Sequence, residues 1–457
     1  MTQTAKKSPF SMNVDLMYGP IFKNLLLFML PIFISSLFQQ LYNTVDTMIV
    51  GNVLGDTALA AIGSCGSIYE LLVGFGLGIG NGLAIVAARS YGAQDHDLLK
   101  KTVAGSLVIG LVASLCITLA GVLGLHPLLL MLDTPAEILD DAYRYILTID
   151  LGVLVMFAYN LCAGLLRAIG NSVMPLVFLL ISSALNVGLD LLFIMVFRWG
   201  VAGAAIATDI SQLVSCVLSL RFLMRVEDDY RVTAKEVRVH KKMAVRIIKV
   251  GLPTGIQNMV ISLSNVLVQV SVNGYGAAAM AGFAAYMKVD GFNILPVLSF
   301  SMAATTFVGQ NFGAGKIDRV KKGTFVTLGM CIVYTILTGI LLLVFQDSIM
   351  HLFTGDETVI AYGKICMLYF CPFYWMLGIL QGLAGTVRGT GKSVPPMVVL
   401  LISLCLFRIV WIQFVLPLFA GIEGVLLVYP VSWAVGAVLM VLYAWKGKWM
   451  QLPEAIS

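Results

Sequence analysis

Twelve long apolar runs dominate the chain, at roughly 21–50, 59–87, 103–125, 138–165, 175–197, 201–223, 247–272, 278–308, 324–346, 358–385, 395–416 and 423–445. A helix rises about 1.5 Å per residue, so each run is long enough to cross a hydrocarbon core of about 30 Å with some tilt. Unpaired strands cannot face lipid, so the runs are expected to be helices. Charged residues make up 12% of the 457 residues and hydrophobic ones 59%, at a mean hydropathy of +0.93, whereas soluble domains carry about 25% charge. The expected fold is therefore an all-α integral membrane protein of twelve transmembrane helices.

Charge placement gives orientation. The alternate connections on one side of the bundle, with both termini, hold 24 of the 29 Lys and Arg residues, so that side is expected to be cytoplasmic. The basic stretch 221–249 reads as a topology anchor and not as a nucleic-acid surface. The first run is too long for a signal sequence and is expected to be retained. The eight cysteines all fall in apolar runs without metal-ligand spacing, and read as small buried hydrophobes.

The chain is one unit written twice. "RSYGAQDHDLLKKT" from Arg89 returns as "QNFGAGKIDRVKKG" from Gln310, and "RAIGNSVMPLVFLLIS" from Arg167 as "RGTGKSVPPMVVLLIS" from Arg388, both at a shift of 221. Pro31 matches Pro253 at a shift of 222. Six helices per half put the halves parallel, related by an axis along the membrane normal. The expected divisions are an N-terminal six-helix lobe (1–223), a basic linker (224–246) and a C-terminal six-helix lobe (247–457).

Two glycine-rich stretches imitate nucleotide sites. "VGFGLGIGNG" at 73–82 never completes GxGxxG, and "GTGKS" at 389–393 lacks the first glycine of a P-loop and follows no strand. On a helix Gly74, Gly78 and Gly82 form one small face and Gly76 and Gly80 another, which reads as a packing seam. No cofactor is expected, no nucleophile constellation points to an enzyme, and transport energy is expected from an ion gradient.

Ionisable groups inside apolar helices cost about 2.5–3.5 kcal/mol each on insertion scales, so those present are functional candidates. Measured from the helix ends at 1.5 Å per residue, Asp46, Asp190 and Thr208 fall at similar depth in the outer half of the first lobe. Asn186 shares a helix face with Asp190. Two carboxyls beside an amide and a hydroxyl would resist carrying two charges at once, so the set suits a proton or a bare Na⁺. The repeat equivalents of Asp46, Asn186, Asp190 and Thr208 are Val268, Phe407, Trp411 and Tyr429, so the second lobe is expected to supply an apolar wall, with Arg408 unaccounted for. Nearer mid-depth, Glu70, Asp150 and Asp290, with Tyr69 and Tyr286, are candidates for a cavity that holds flat organic cations. Lys288 is alternatively read as a partner for a neighbouring acid, Asp209 as either part of the cation set or packing, and Lys364 and Arg144 as reaching outward.

The order and spacing of "NTVDTMIVG", "RSYGA", "QNFGA", "RAIGNSVMP", "RGTGKSVPP", "NVGLD" and "GVAGAAIAT" resemble the multidrug and toxic compound extrusion (MATE) transporters over nearly the whole chain. The resemblance implies a V-shaped pair of six-helix lobes in the cell membrane that export small organic, often cationic, compounds against inward H⁺ or Na⁺ flow, and a monomer is expected. It carries the family's cation site onto Asp46, Asn186, Asp190 and Thr208, and its helix-bending proline onto Pro31. Asp209 departs from the pattern, which usually has an apolar residue there. A lipid-linked saccharide flippase of the same superfamily is the alternative.

Overall fold

The computed structural model describes residues 13–131, 134–225 and 241–451. Lys6, Lys7 and most of the basic linker lie outside the described residues. Among those described there is no strand. The spans are α1 (Ile21–Leu54), α2 (Asp56–Ser64 and Gly66–Gly92), α3 (His96–Met131), α4 (Ala136–Leu151 and Val153–Ala168), α5 (Val173–Asp190, continued by Leu191–Val196) and α6 (Gly200–Arg225). The second set is α7 (Lys241–Asn273), α8 (Ala277–Gly313), α9 (Ile317–Val344), α10 (Glu357–Phe370 and Tyr374–Gly389), α11 (Val394–Leu418) and α12 (Glu423–Trp445).

The apolar runs place every span, but several are not straight rods. α2 is interrupted at Cys65, whose thiol donates to the Ala142 carbonyl at 3.2 Å, and α4 bends by 46° at Gly152. In α10 a 3₁₀ turn at Cys371–Phe373 coincides with Pro372, which cannot continue the hydrogen-bond ladder. α1 runs through Pro31 as one helix. Both α5 and α11 contain π-helical turns, at Leu191–Val196 and at Ile402–Leu406 and Trp411–Val415, widenings that recur at functional sites.

The halves meet at the end of the bundle that carries the basic residues. There Gly78 and Gly82 of α2 lie against Gly255 and Gly251 of α7 so closely that a Cβ on either would overlap backbone atoms. The Asn258 amide nitrogen donates to the Gly74 carbonyl at 3.2 Å in the same seam. The opposite side of α2 is slim for a neighbour within its own lobe: Gly76 faces Phe157 and Met156, and Gly80 faces the Asn160 backbone, all on α4. The glycine-rich stretch is thus a seam on two faces, and one of the two is the junction between lobes.

Further contacts close this end in a reciprocal way. A Cβ on Gly92 would strike the Gln310 carbonyl, and one on its repeat equivalent Gly313 would strike the Arg89 carbonyl. The segment before α1 spans both halves: Val14 N donates to the Gly170 carbonyl at 3.0 Å, while the Leu16 carbonyl accepts from Asn311 Nδ2 at 3.1 Å and from Arg319 Nε at 3.3 Å. Towards the other end Gly63, Gly66 and Gly291 have open space where a side chain would be.

Candidate functional site

Within the first lobe, α1, α2, α4, α5 and α6 enclose a cavity of about 40 Å³ measured over water centres, several times the roughly 10–15 Å³ that one water molecule needs. Its wall includes Tyr42, Tyr69, Asn160, Asn186, Thr208 and Gln212. Asp190 stands one turn beyond Asn186 on α5, and the carboxyl of Asp46 on α1 is its direct neighbour. The structure therefore brings together the four residues that depth and periodicity select.

The burial of this set is the observation that matters. Asp190 is 0% exposed, Asn186 2% and Thr208 8%. Thr208 is satisfied, its hydroxyl donating to the Ala204 carbonyl at 3.1 Å. Neither Asp190 oxygen, neither Asn186 side-chain polar atom, nor Asp46 Oδ1 has a hydrogen-bond partner. Buried polar groups are almost always paired, because an unpaired one costs about 1–3 kcal/mol and a charge more. Asn186 lines the cavity, and the unpartnered oxygens of Asp46 and Asp190 beside it are hard donors of the kind that protons and hard cations favour.

The substrate-cavity candidates do not meet in one place. Tyr69 lines the first-lobe cavity, and Glu70, one residue on, is exposed. Asp150 is fully buried at the α4 bend, its carboxyl lying over Gly121 of α3, with both oxygens unpartnered. Asp290 and Tyr286 belong to the core of the second lobe, where the Tyr374 hydroxyl donates to Asp290 and is hydrogen-bonded to the Tyr286 hydroxyl. Tyr286 stacks on Phe370 at 5.0 Å and Tyr374 on Trp433 at 5.5 Å. Lys288 is exposed and makes no ion pair among the described residues. Arg144 is exposed, and Lys364 bonds Asp347 of the short helix Gln346–His351 at 2.9 Å.

The second lobe handles the equivalent positions differently. Trp411, in the place of Asp190, donates its indole N–H to the Gly424 carbonyl at 2.8 Å. Tyr429, in the place of Thr208, packs edge-on against Phe370 at 4.5 Å. Arg408 is only 3% exposed, yet its Nη1 donates to Asn265 Oδ1 at 2.9 Å, its Nε to Ser432 at 3.3 Å, and its guanidinium lies 4.4 Å over the Tyr429 ring. Sequence reasoning missed Tyr374, and in the first lobe it missed the cavity residues Tyr42, Asn160, Ser182, Ser211, Gln212 and Ser215. The signal for the α6 residues was present: Thr208, Ser211, Gln212 and Ser215 repeat at three- and four-residue spacing on one face of an apolar helix.

The family model MatE matches residues 31–192 and again 253–412, once per half. The probable multidrug resistance protein YpnP of Bacillus subtilis (strain 168) is 29% identical over 436 residues, covering 95% of this chain and 97% of its own. The multidrug export protein MepA of Staphylococcus saprophyticus is 24% identical over 382 residues, 82% of each chain. Among solved structures, MATE in complex with MaL6 superposes with a TM-score of 0.89 at 20% identity, covering 96% of this chain and 98% of its own. An outward-facing multidrug resistance MATE family transporter superposes at 0.88, again at 20% identity, with the same coverage of 96% and 98%.

Proposed function

The chain belongs to the MatE family, and from that premise we propose that it is a secondary active multidrug exporter, moving small organic and often cationic compounds out across the cell membrane against inward H⁺ or Na⁺ flow. The observation that supports the coupling is the unsatisfied set in the first lobe: Asp46 Oδ1, both oxygens of the neighbouring Asp190 and both polar atoms of Asn186 lack hydrogen-bond partners, and Asn186 lines a cavity with room for more than one water. An ion there would pair groups whose burial is otherwise costly, so its arrival and departure can bias one lobe arrangement over the other.

The basic end, where α2 and α7 seal the halves together, is the cytoplasmic end on the distribution of Lys and Arg, and the arrangement described is then open to the outside. Export follows when ion binding to the first lobe favours reopening of the cytoplasmic seam. Pro31 serves as a hinge in this scheme, since its missing N–H leaves α1 one ladder bond short where α1 packs on the second lobe. Glu70, exposed next to the cavity residue Tyr69, receives the cationic substrate, and the protein works as a monomer.

Inverted membrane vesicles test the reading. An imposed H⁺ or Na⁺ gradient should drive dye accumulation, and Asp46→Asn should abolish it. Accumulation independent of both gradients, or translocation of a lipid-linked saccharide without any dye transport, would overturn the proposal.

A further inference from the structure

The segment before α1 carries no helix of its own, and side chains from one corner of the second half hold it. Arg319, in the first turn of α9, directs its guanidinium at three of its carbonyls: Nε and Nη2 each reach Leu16 at 3.3 Å, Nη2 reaches Tyr18 at 3.0 Å, and Nη1 reaches Gly19 at 2.8 Å. Lys316 Nζ donates to the Met17 carbonyl at 3.1 Å and lies 3.4 Å over the Tyr18 ring. Asn311 Nδ2 adds a bond to the Leu16 carbonyl at 3.1 Å, and the Leu16 side chain is 0% exposed in the second-lobe core. Four successive carbonyls, Leu16 to Gly19, are thus claimed by three side chains.

These donors are not part of the repeat. At the equivalent corner of the first half Asn311, Lys316 and Arg319 become Ser90, Asp95 and Leu98, at the shift of 221. Ser90 bonds the Val86 carbonyl of its own helix at 3.0 Å, and Asp95 caps its own helix by accepting from Leu98 N at 2.9 Å. The close approach at Gly92 and Gly313 is common to both corners, so the packing does not need the extra donors. What they hold is the segment. At its other end Val14 N donates to the Gly170 carbonyl of the first half at 3.0 Å, and Gly170, at a φ of +92°, lies where a Cβ would come within 2.7 Å of the Val14 carbonyl. The inner part of α1 sides with the second half as well, since Leu25, Phe28, Met29 and Ile32 share its core. The segment is therefore anchored by charge-assisted bonds on one side of the seam and hooked by a backbone bond on the other.

We propose that residues 13–19 form a latch that holds the two halves closed at the basic end. The latch is carried on the second half by Asn311, Lys316 and Arg319, and it is hooked onto the first by the bond from Val14 N to the Gly170 carbonyl. Parting the halves at this end breaks the hook and spares the anchor, because the anchor lies wholly on one side of the seam. The segment then stays in place, and Val14 meets Gly170 again when the halves return. Arg319 is the positioning residue of the device, since its guanidinium alone bonds three of the four carbonyls.

The latch rests on the exporter reading for what its release achieves, so closure itself is measured, with no substrate and no gradient. Spin labels on Lys101→Cys and Lys322→Cys, exposed and equivalent in the repeat, report the separation of the halves in the full chain in liposomes, with the exposed native Cys116 replaced by serine. Arg319→Met should raise the ratio of separated to closed forms at least about fivefold, the factor that one net hydrogen bond supplies. Gly170→Ala, which puts a methyl group against the Val14 carbonyl, should widen the separation from the other end of the latch. Lys321→Met removes the same charge from an exposed position two residues beyond Arg319 and should change nothing. Should Arg319→Met misfold, Lys316→Met should shift the ratio in the same direction. Unchanged distances in the folded anchor variants, or equal widening in Lys321→Met, would overturn the proposal. Widening in Arg319→Met beside a parent protein without gradient-driven export would leave the latch standing and remove the exporter reading instead.

Discussion

Asp190 and Trp411 occupy the same place in two copies of one repeat, each beside a π-helical turn, and they have opposite fates. Asp190 is buried with both oxygens unpaired, whereas the Trp411 N–H is bound to the Gly424 carbonyl. The same contrast runs through the lobes. The first keeps an unsatisfied polar set around a cavity, while the second fills the equivalent volume with Phe370, Tyr374, Tyr429 and Trp433 in mutual contact. Even its buried cation is accommodated, with two hydrogen bonds and a ring face for Arg408. Duplication has preserved the packing and let the chemistry diverge, and the proposed coupling assigns the ion to the unsatisfied copy.

The largest effect should come from removing the first-lobe charge. Asp190→Asn keeps the shape of the site, and gradient-driven export should fall on the order of 100-fold, near the upper end of ordinary coupling energies. Trp411→Phe, the matched change in the second lobe, should stay within about threefold in the same vesicle assay. Equal losses from the two would break the comparison.

Next in size is the seam itself. Gly82→Leu drives a side chain into the Gly251 backbone, an overpacking worth about 1–3 kcal/mol. Turnover should drop about tenfold, and spin labels at the basic ends of α2 and α7 should show a wider separation, with substrate affinity little changed. Smaller again is Arg408→Met, which strips the donor from Asn265 Oδ1 and should lower unfolding free energy by about 1–3 kcal/mol without altering the dependence on the ion gradient. Thermal unfolding in detergent reads the first quantity and vesicle transport the second.

The smallest effect belongs to the outer ion pair. The bond from Lys364 holds Asp347 below the usual carboxylate range. A depressed acid contributes stability above its unfolded value and loses it as pH falls through the folded one, so this pair helps at neutral pH and fades in acid. Lys364→Met should therefore change thermal stability slightly at pH 7 and not at all at low pH.

The fold was largely legible because lipid imposes a length and a polarity on every span, and both can be read from sequence. The interruptions at Cys65 and Gly152 were not, since a one-residue break without proline leaves the apolar run intact. The placement of Asp46 and Asp190 was legible because a carboxyl in an apolar helix is anomalous wherever it points, that of Asn186 because it shares a helix face with Asp190, and that of Thr208 from its depth. Asp150 shows the limit: distance from a helix end fixes height but not azimuth, and at its height Asp150 turns towards Gly121 and away from the cavity. The cavity serines were hidden for another reason, since a hydroxyl that bonds its own helix, as Ser211 does to the Ala207 carbonyl at 2.7 Å, looks the same in sequence whether it faces a cavity or a neighbour.

The claim that the first lobe alone carries the coupling ion is tested most directly by substrate-stimulated ion flux in proteoliposomes, with one gradient imposed at a time. Asp46→Asn should abolish the stimulated flux, and Asp290→Asn, at the half-buried acid held by Tyr374 in the second lobe, should leave it at no less than about half the parent rate. Flux that survives Asp46→Asn and vanishes in Asp290→Asn would contradict the account.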